Sequence, residues 1–554
     1  MFRNILYKGF GFLGSKKAKL FEQASFDCAG SQLKRLTRIV NSNAYSVYGK
    51  EHSFSSVKTF SDFQKAVPIN SYEDLLPYIT QSMEGEKSLL TEETPFMFAT
   101  TSGTIGNRKF IPITRSYMEE FRQASVVSGF HLLKNYPGIS KGVVLSIFSS
   151  AQEALTTSGI PYGAISGRLY LDEPGLIKKH ISPIPYEAFV IKDYDTRYYA
   201  ILRCALMLPI SCIYTLNPST IALLAKTLEN NADRLIKDIA NGTITTNAEI
   251  SSETRAALKP FLKSDLERAR FLERLFEQKQ FKPNKIWPEL AVIACWTKAA
   301  ASFYLKDFPQ HFGETPVCDI TYGASEGRGT VFLGGESQCL SIRSHFYEFI
   351  KEEDIDKENP QTLGGWQLES DKSYYILFTT SGGLYRYNLN DVVKVVGWHN
   401  STPLLEFLYK GGNICSFTGE KLTEPQVTEA VLSSTKGLNL TVSFFTAIPE
   451  FQPVPHYQLW IEFDHYPLKE KIQLLTHNLD RAISRNNCEY ESKRESARLG
   501  PVTIHLLKPG TYKELRKTLV AEGTPDAQIK ISHLNPKAEI KKKLLGQLLV
   551  RVGS

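Results

Sequence analysis

The chain has 554 residues, too many for one core, and its 42% hydrophobic and 11% aromatic content predicts two or more packed domains. A formal net charge of +7 is small for this length, and basic residues interspersed with acids disfavour nucleic acid as a partner. Eight cysteines with no C-x-x-C pair argue against zinc and disulfides, and no apolar run is long enough to span a membrane.

The N-terminus "MFRNILYKGFGFLGSKKAKLF" is basic and apolar, but Lys8 interrupts the apolar stretch and no small-residue cleavage site follows. A cytosolic start is expected rather than a signal peptide. Gly9, Gly11 and Gly14 match G-x-G-x-x-G, yet the sequel reads helical and Lys34 stands where a dinucleotide site needs an acid, so the match is rejected. Helix and loop are predicted to about Tyr78, with Ser71 capping a short helix ahead of Pro77. "FMFAT" and "KFIPIT" read as strands joined by a glycine loop, and Ser116 with Glu119 reads as a capping box for the helix that follows.

Strand-like "GVVLSIF", "FVIKDY" and "SCIYTL" then alternate with helical "TRYYAILRCALML" and "PSTIALLAKTLENNADRLIKDI", an α/β signature. Residues 251–282 read as solvated surface helix. "ELAVIACW" and "TPVCDITYGASEG" read as buried strands delivering loops, and "SYYILFTTSGGLYRYNLNDVVKVVGW" as a hairpin or meander. Past Gly397 a smaller mixed module follows, from "PLLEFLYKGG" through a helix around "EPQVTEAVLSS" to strands "LTVSFFTAI" and "HYQLWIEF". A boundary is expected at 396/397.

Three polar, turn-rich stretches carry the chemistry: "TTSGTIGNRK" (Thr100 to Lys109), "TYGASEG" (Thr321 to Gly327) and "GLYRYNLNDVV" (Gly383 to Val393). The first has the ingredients of a phosphate cradle, although its glycine spacing is not that of a P-loop. The second offers an aromatic face in Tyr322 and a carboxylate in Glu326. The third offers Asp391 beside Tyr385 and Arg386. Together they supply a ring partner, a magnesium ligand, a diol acceptor and a polyphosphate clamp, the requirements of an adenine nucleotide.

In this order the stretches resemble the nucleotide motifs of the adenylate-forming superfamily. More closely, they resemble the plant auxin-responsive Gretchen Hagen-type acyl acid amido synthetases. With "GEKLTE" (Gly419 to Glu424) and "PGTYKELRKTLVAEGTPDAQIK" (Pro509 to Lys530), the likeness covers nearly the whole chain. The resemblance implies an α/β fold, with a large N-terminal domain of mixed sheets and helices (1–396) binding ATP and an acyl acid, and a smaller mobile α+β lid (397–554). It implies ATP and Mg2+ as cofactors, adenylation of a carboxylic acid, and transfer of the acyl group to an amino acid amine.

On this resemblance Thr101, Ser102, Gly103, Thr104 and Lys109 wrap the phosphates, Tyr322 lies near adenine, Glu326 holds Mg2+ and Asp391 accepts the ribose hydroxyls. Lys421 stabilises charge at the reacting phosphate, with Arg108 either sharing that role or solvated; Lys421, Lys109 and Glu326 are the catalytic candidates. The family's third motif reads Y-R-x-G-D, whereas Tyr387, Asn388, Leu389, Asn390 and Asp391 stand here. On a strand Arg386 would share a face with Asn388 and could supply the missing charge. The variant motif suggests a bacterial member.

An acyl-CoA ligase and a catalytically silent nucleotide-binding protein are the alternatives. Ser146 to Gly167 and Cys295 to Tyr304 are candidates for the acyl pocket, with core packing as the competing reading. His345 reads as structural, and Cys295, without a partnered histidine, not as a nucleophile. The expected partners are a small carboxylic acid and an amino acid, with no nucleic acid and no membrane, for a cytoplasmic monomer.

Overall fold

The computed structural model describes every residue other than 1, 102–108, 299–300, 412–414, 416–419, 421, 452–453, 496–498, 523, 525–528, 530, 536–537 and 553–554. The chain divides into two compact units. The first contains residues up to 101, 109–389 and 393–406; the second contains 390–392 and everything from Phe407 onward. Position 396/397 falls inside the first unit, in strand Tyr387–His399, and the following strand Thr402–Lys410 is its neighbour in the same sheet. No described helix is long and apolar enough to cross a membrane.

The first unit opens with helices Phe2–Ser25 and Cys28–Ser42, so Gly9, Gly11 and Gly14 lie inside a helix rather than in a strand-to-helix turn. Helix Tyr72–Glu84 starts at a capping box of Ser71 with Asp74. It is not confined to the residues ahead of Pro77: the proline forfeits one backbone bond, and the helix runs on until Gly85 ends it at φ +110°.

Three sheets organise this unit. Lys109–Ile113, Met97–Thr101, Pro161–Gly163 and Ala154–Leu155 form one. Val143–Ser146, Ile210–Tyr214, Val292–Cys295 and Val317–Asp319 form a wholly parallel second sheet, crossed by helices such as Pro218–Asn230. Val292–Cys295 is buried throughout, as a parallel strand covered on both faces should be. The third sheet has seven strands, in the order Thr330–Val331, Gln338–Leu340, Thr402–Lys410, Tyr387–His399, Ser373–Thr379, Phe346–Lys351 and Thr362–Gly364. Its Phe346, Tyr347, Phe349 and Phe378 pack with Leu36, Ile39, Tyr48 and Tyr117 in the main core.

Three local expectations are corrected. "FVIKDY" is not a strand: Phe189 closes helix Tyr186–Phe189, and Asp193 caps helix Tyr194–Ala205 by accepting from Thr196 N at 2.8 Å. The β preference of Val190 and Ile191 loses to that cap. The helix at Arg115–Asn135 is capped by Thr114, which accepts from Tyr117 N at 3.1 Å, while Ser116 lies inside it and bonds Glu93 through both backbone and hydroxyl. Residues 251–282 hold two helices, Ser252–Leu258 and Leu266–Glu277, the second burying Ala269, Leu272 and Leu275 rather than being solvated all round.

The second unit centres on a four-stranded sheet of Val442–Glu450, His456–Phe463, Thr503–Leu507 and Leu548–Val552, paired antiparallel, parallel and antiparallel in turn. Helices Glu424–Lys436 and Lys469–Asn486 pack together beside it. Among the described side chains seven cysteines are buried free thiols.

Candidate functional site

Strand Met97–Thr101 and strand Lys109–Ile113 pair antiparallel, and the register closes on Thr101 opposite Lys109. Both ends of the glycine loop are therefore fixed by a ladder. Ser102, Gly103, Thr104 and Arg108 lie outside the described residues. The Lys109 ammonium stands 5.0 Å from the centroid of the Tyr72 ring and 3.5 Å from the Tyr387 hydroxyl, a cation over an aromatic face. Tyr72 is the first residue of its capped helix, and its hydroxyl accepts from Phe110 N at 2.8 Å, which binds helix and hairpin together.

Glu326 is delivered by a second hairpin, Gly323–Ala324 against Gly327–Arg328, whose two-residue turn is Ser325 and Glu326. The turn is tied down from two sides: Tyr117 donates to the Ser325 carbonyl at 2.7 Å, and the Ser325 hydroxyl donates to Thr100 O at 3.4 Å. Glu326 is buried at 8% exposure. Burial raises the pKa of the Tyr72 and Tyr117 hydroxyls, and the Glu326 charge beside them pushes each further up, so both remain protonated. The same Tyr72 thus has Lys109 over its ring and the Glu326 charge near its hydroxyl.

Tyr322 is set by backbone bonds, donating from its N to Thr330 Oγ1 at 2.8 Å and accepting at its carbonyl from Gly329 N and Thr330 N. A Cβ at Gly329 would come within 2.3 Å of the Tyr322 ring, so only glycine leaves the ring where it is. Thr101, Lys109 and Glu326 are therefore brought together in the first unit, and Tyr322 immediately precedes the hairpin that carries Glu326.

The third motif behaves otherwise. Arg386 is not on the strand, which begins at Tyr387, but at φ +46° with a buried side chain. Its Nε donates to both oxygens of Glu348 at 3.1 Å, Nη1 to the carbonyls of Gln64 and Val67, and Nη2 to Thr362 Oγ1. It shares no strand face with Asn388, and its guanidinium is committed to the core. Asn390 has φ +64°, the left-handed conformation that glycine takes freely and asparagine enters most readily among other residues. The replacement of the motif glycine therefore keeps a left-handed backbone position within strand Tyr387–His399. Asp391 belongs to the second unit, where its Oδ1 pairs with Lys410 Nζ at 3.1 Å. Lys421 lies outside the described residues.

Both acyl-pocket candidates adjoin these motifs. Pro161–Gly163 pairs in parallel with Met97–Thr101, Tyr162 stands edge-on to Phe110 at 5.2 Å, and Thr100 Oγ1 donates to Glu153 at 3.3 Å. Phe148 of the same segment is packed against Tyr170 and Phe189, as core. In the second segment Trp296 Nε1 donates to Thr321 O at 3.2 Å, next to Tyr322, and Thr297 N donates to Asp319 at 2.9 Å. Asp319 ends a parallel strand, and burial pushes its carboxyl up to about 6.

His345 is fully buried, bonds Glu120 through Nδ1 at 3.2 Å, and is kept neutral by burial against the opposing pull of Glu120. Burial instead raises the pKa of the Cys295 thiol, which suits no nucleophile. Sequence reasoning missed Tyr72, Tyr387, Lys410 and Asp319. Tyr387 lay inside the third motif without an assigned role and Lys410 stood just past its continuation; Tyr72 and Asp319 gave no local sign.

Family models match three consecutive parts of the chain: the GH3 family N-terminal domain at residues 17–317, the central domain at 338–410 and the C-terminal domain at 425–539. The chain belongs to the GH3 family. Among curated GH3 relatives, the jasmonoyl–L-amino acid synthetase JAR6 of Nicotiana attenuata is 26% identical over 536 residues, spanning 92% of this chain and 91% of the relative. The indole-3-acetic acid-amido synthetase GH3.3 of Arabidopsis thaliana is 23% identical over 542 residues, spanning 93% and 91%. The solved structure titled AtGH3.15 acyl acid amido synthetase in complex with 2,4-DB shares the fold at a TM-score of 0.85, with 21% identity and 97% of each chain covered. These relatives are plant proteins and give the expected bacterial origin no support.

Proposed function

We propose that this GH3 chain is an ATP-dependent acyl acid amido synthetase. The observation that carries the reading is the convergence of Thr101, Lys109 and Glu326, two sequence-distant hairpins joined where Ser325 bonds Thr100, with Tyr322 leading into the second. Lys109 is the cation for the phosphates, and Tyr322 offers its ring to adenine. Among the described residues no group of three or more His, Cys, Asp or Glu could hold a metal. A single carboxylate such as Glu326 suits Mg2+, which keeps most of its waters and takes further ligands from the nucleotide phosphates.

The carboxylate of the acid attacks the α-phosphorus, and the bond to pyrophosphate breaks. The amine of the amino acid then attacks the acyl carbon, and AMP leaves with its electron pair while the amine loses a proton. Lys109 offsets the negative charge that grows during the first step. Asp391 serves the ribose hydroxyls, the first unit binds ATP and the acyl acid, and the second unit, from Phe407 onward rather than from residue 397, forms the lid that carries Lys421. Small carboxylic acids and amino acids are the substrates, in keeping with the names of the relatives.

Incubation with ATP, Mg2+, a panel of jasmonate-, indole- and benzoate-type acids, and either mixed amino acids or CoA tests this by mass spectrometry. Amide products are expected. A thioester would make the chain an acyl-CoA ligase, and absence of pyrophosphate release with every acid would make it a silent relative.

A further inference from the structure

Residues 2–42 contain eight basic and two acidic residues, a surplus of six in a chain whose formal net charge is +7. The charge is concentrated, not interspersed as the whole composition suggests. Both acids are engaged: Glu22 accepts from His399 at 2.7 Å and from Asn400 at 3.1 Å, and Asp27 caps Gly30 N at 2.8 Å. Arg35 turns inward to Glu120. Lys8, Lys16, Lys17, Lys19, Lys34 and Arg38 remain exposed, with no ion pair among the described residues.

Helix Phe2–Ser25 is clamped to the body along its inner face. The Tyr7 hydroxyl donates to Gly142 O at 3.3 Å, Phe21 is buried, and a Cβ on Gly14 would come within 2.9 Å of Phe130. The opposite face projects Ile5, Phe12, Leu13 and Leu20, which are 57%, 62%, 63% and 45% exposed, and Phe26 follows at 67%. Positions 5, 12, 13 and 20 fall on one side of a helix, and Lys8, Lys16 and Lys19 share that side. The Lys16 ammonium lies 4.4 Å from the Phe12 ring centroid.

We propose that this face docks on an anionic lipid bilayer. A rigid helix with large apolar side chains, flanked by lysines on flexible stems and with its acids already paired, fits a surface that is negative outside and apolar just beneath. Nucleic acid would use the cations but leave the aliphatic side chains in water. A second copy meeting this face about a two-fold axis would bring the same lysines together.

The test is cosedimentation of the full chain with vesicles of phosphatidylcholine plus phosphatidylserine, and with phosphatidylcholine alone. Binding to the mixed vesicles is expected to be at least about tenfold tighter and to weaken as salt rises. Replacing Phe12 and Leu13 together by serine, or Lys16 and Lys19 together by glutamate, should each lower it about tenfold or more with an unchanged melting curve. Should a double variant misfold, Phe12→Trp in the otherwise native chain should blue-shift on mixed vesicles only. Equal or absent binding to the two vesicle types would overturn the proposal. So would a wild-type dimer in light scattering that the serine variant dissociates, or preferential binding of duplex DNA.

Discussion

Arg386 and Asp391 stand five residues apart, yet their ion pairs are opposites. Arg386 and Glu348 are 6% and 1% exposed at the side chain, and every nitrogen of the guanidinium has a partner from the surrounding core. Asp391 is 9% exposed, but its partner Lys410 is 44% exposed on a flexible stem. The first pair can exchange with nothing without leaving a buried charge. The second holds a buried carboxylate through a lysine whose stem reaches solvent and can be solvated in place. Within one motif, then, partner exposure separates a charge that holds the fold from the one proposed to meet the ribose.

The sharpest way to break that contrast is Arg386→Met, which strands a charged Glu348 in the core. It should cost about 3–5 kcal/mol of unfolding free energy in a denaturant titration, and Arg386→Lys should not restore it because a single ammonium cannot span the same acceptors. Lys109→Met belongs on the functional side: ATP use should fall roughly ten- to a thousand-fold while the melting curve stays. A destabilisation as large as that of Arg386→Met would move Lys109 to the structural side.

Asp319 lies between the extremes, a mostly buried carboxylate with Thr297 as hydrogen-bond partner. Its folded pKa is raised to about 6, so the native state keeps the proton after the unfolded chain has lost it. Stability should therefore decline as pH rises from the ordinary aspartate range to about 6. Asp319→Asn should remove that decline and stabilise at pH 7 by on the order of 2 kcal/mol, discounted for partial exposure, with no gain below pH 4. The smallest effects are expected at the open pair: Lys410→Met should change stability by less than about 1 kcal/mol. Asn390→Gly, at a left-handed position, should gain at most about 1 kcal/mol.

The sequence made the hairpins and their tools legible because each is local: alternating apolar residues around turn residues predict "FMFAT" and "KFIPIT", and Ser71 predicts the start of the helix that places Tyr72. Partners distant along the chain were not legible. Arg386 looked like a strand residue facing Asn388 because its backbone turn and its partner Glu348, 38 residues earlier, leave no trace in its neighbours. Thr114 and Ser116 are equally good caps on paper; Glu93, which engages Ser116 from outside the helix, is invisible to local reading. The burial of Asp319 depends on the parallel sheet it ends, and the juxtaposition of Tyr72 with Lys109 on the hairpin binding that helix.

The proposed function makes Glu326 part of an acid-activating site rather than a prop of the fold. Acid-dependent exchange of labelled pyrophosphate into ATP, measured for wild type and Glu326→Ala beside their melting curves, tests it most directly. Wild type should exchange with at least one acid, and the variant should lose about a hundredfold or more with an unchanged melting temperature. Undiminished exchange in the variant, or lost exchange accompanied by unfolding, would contradict it.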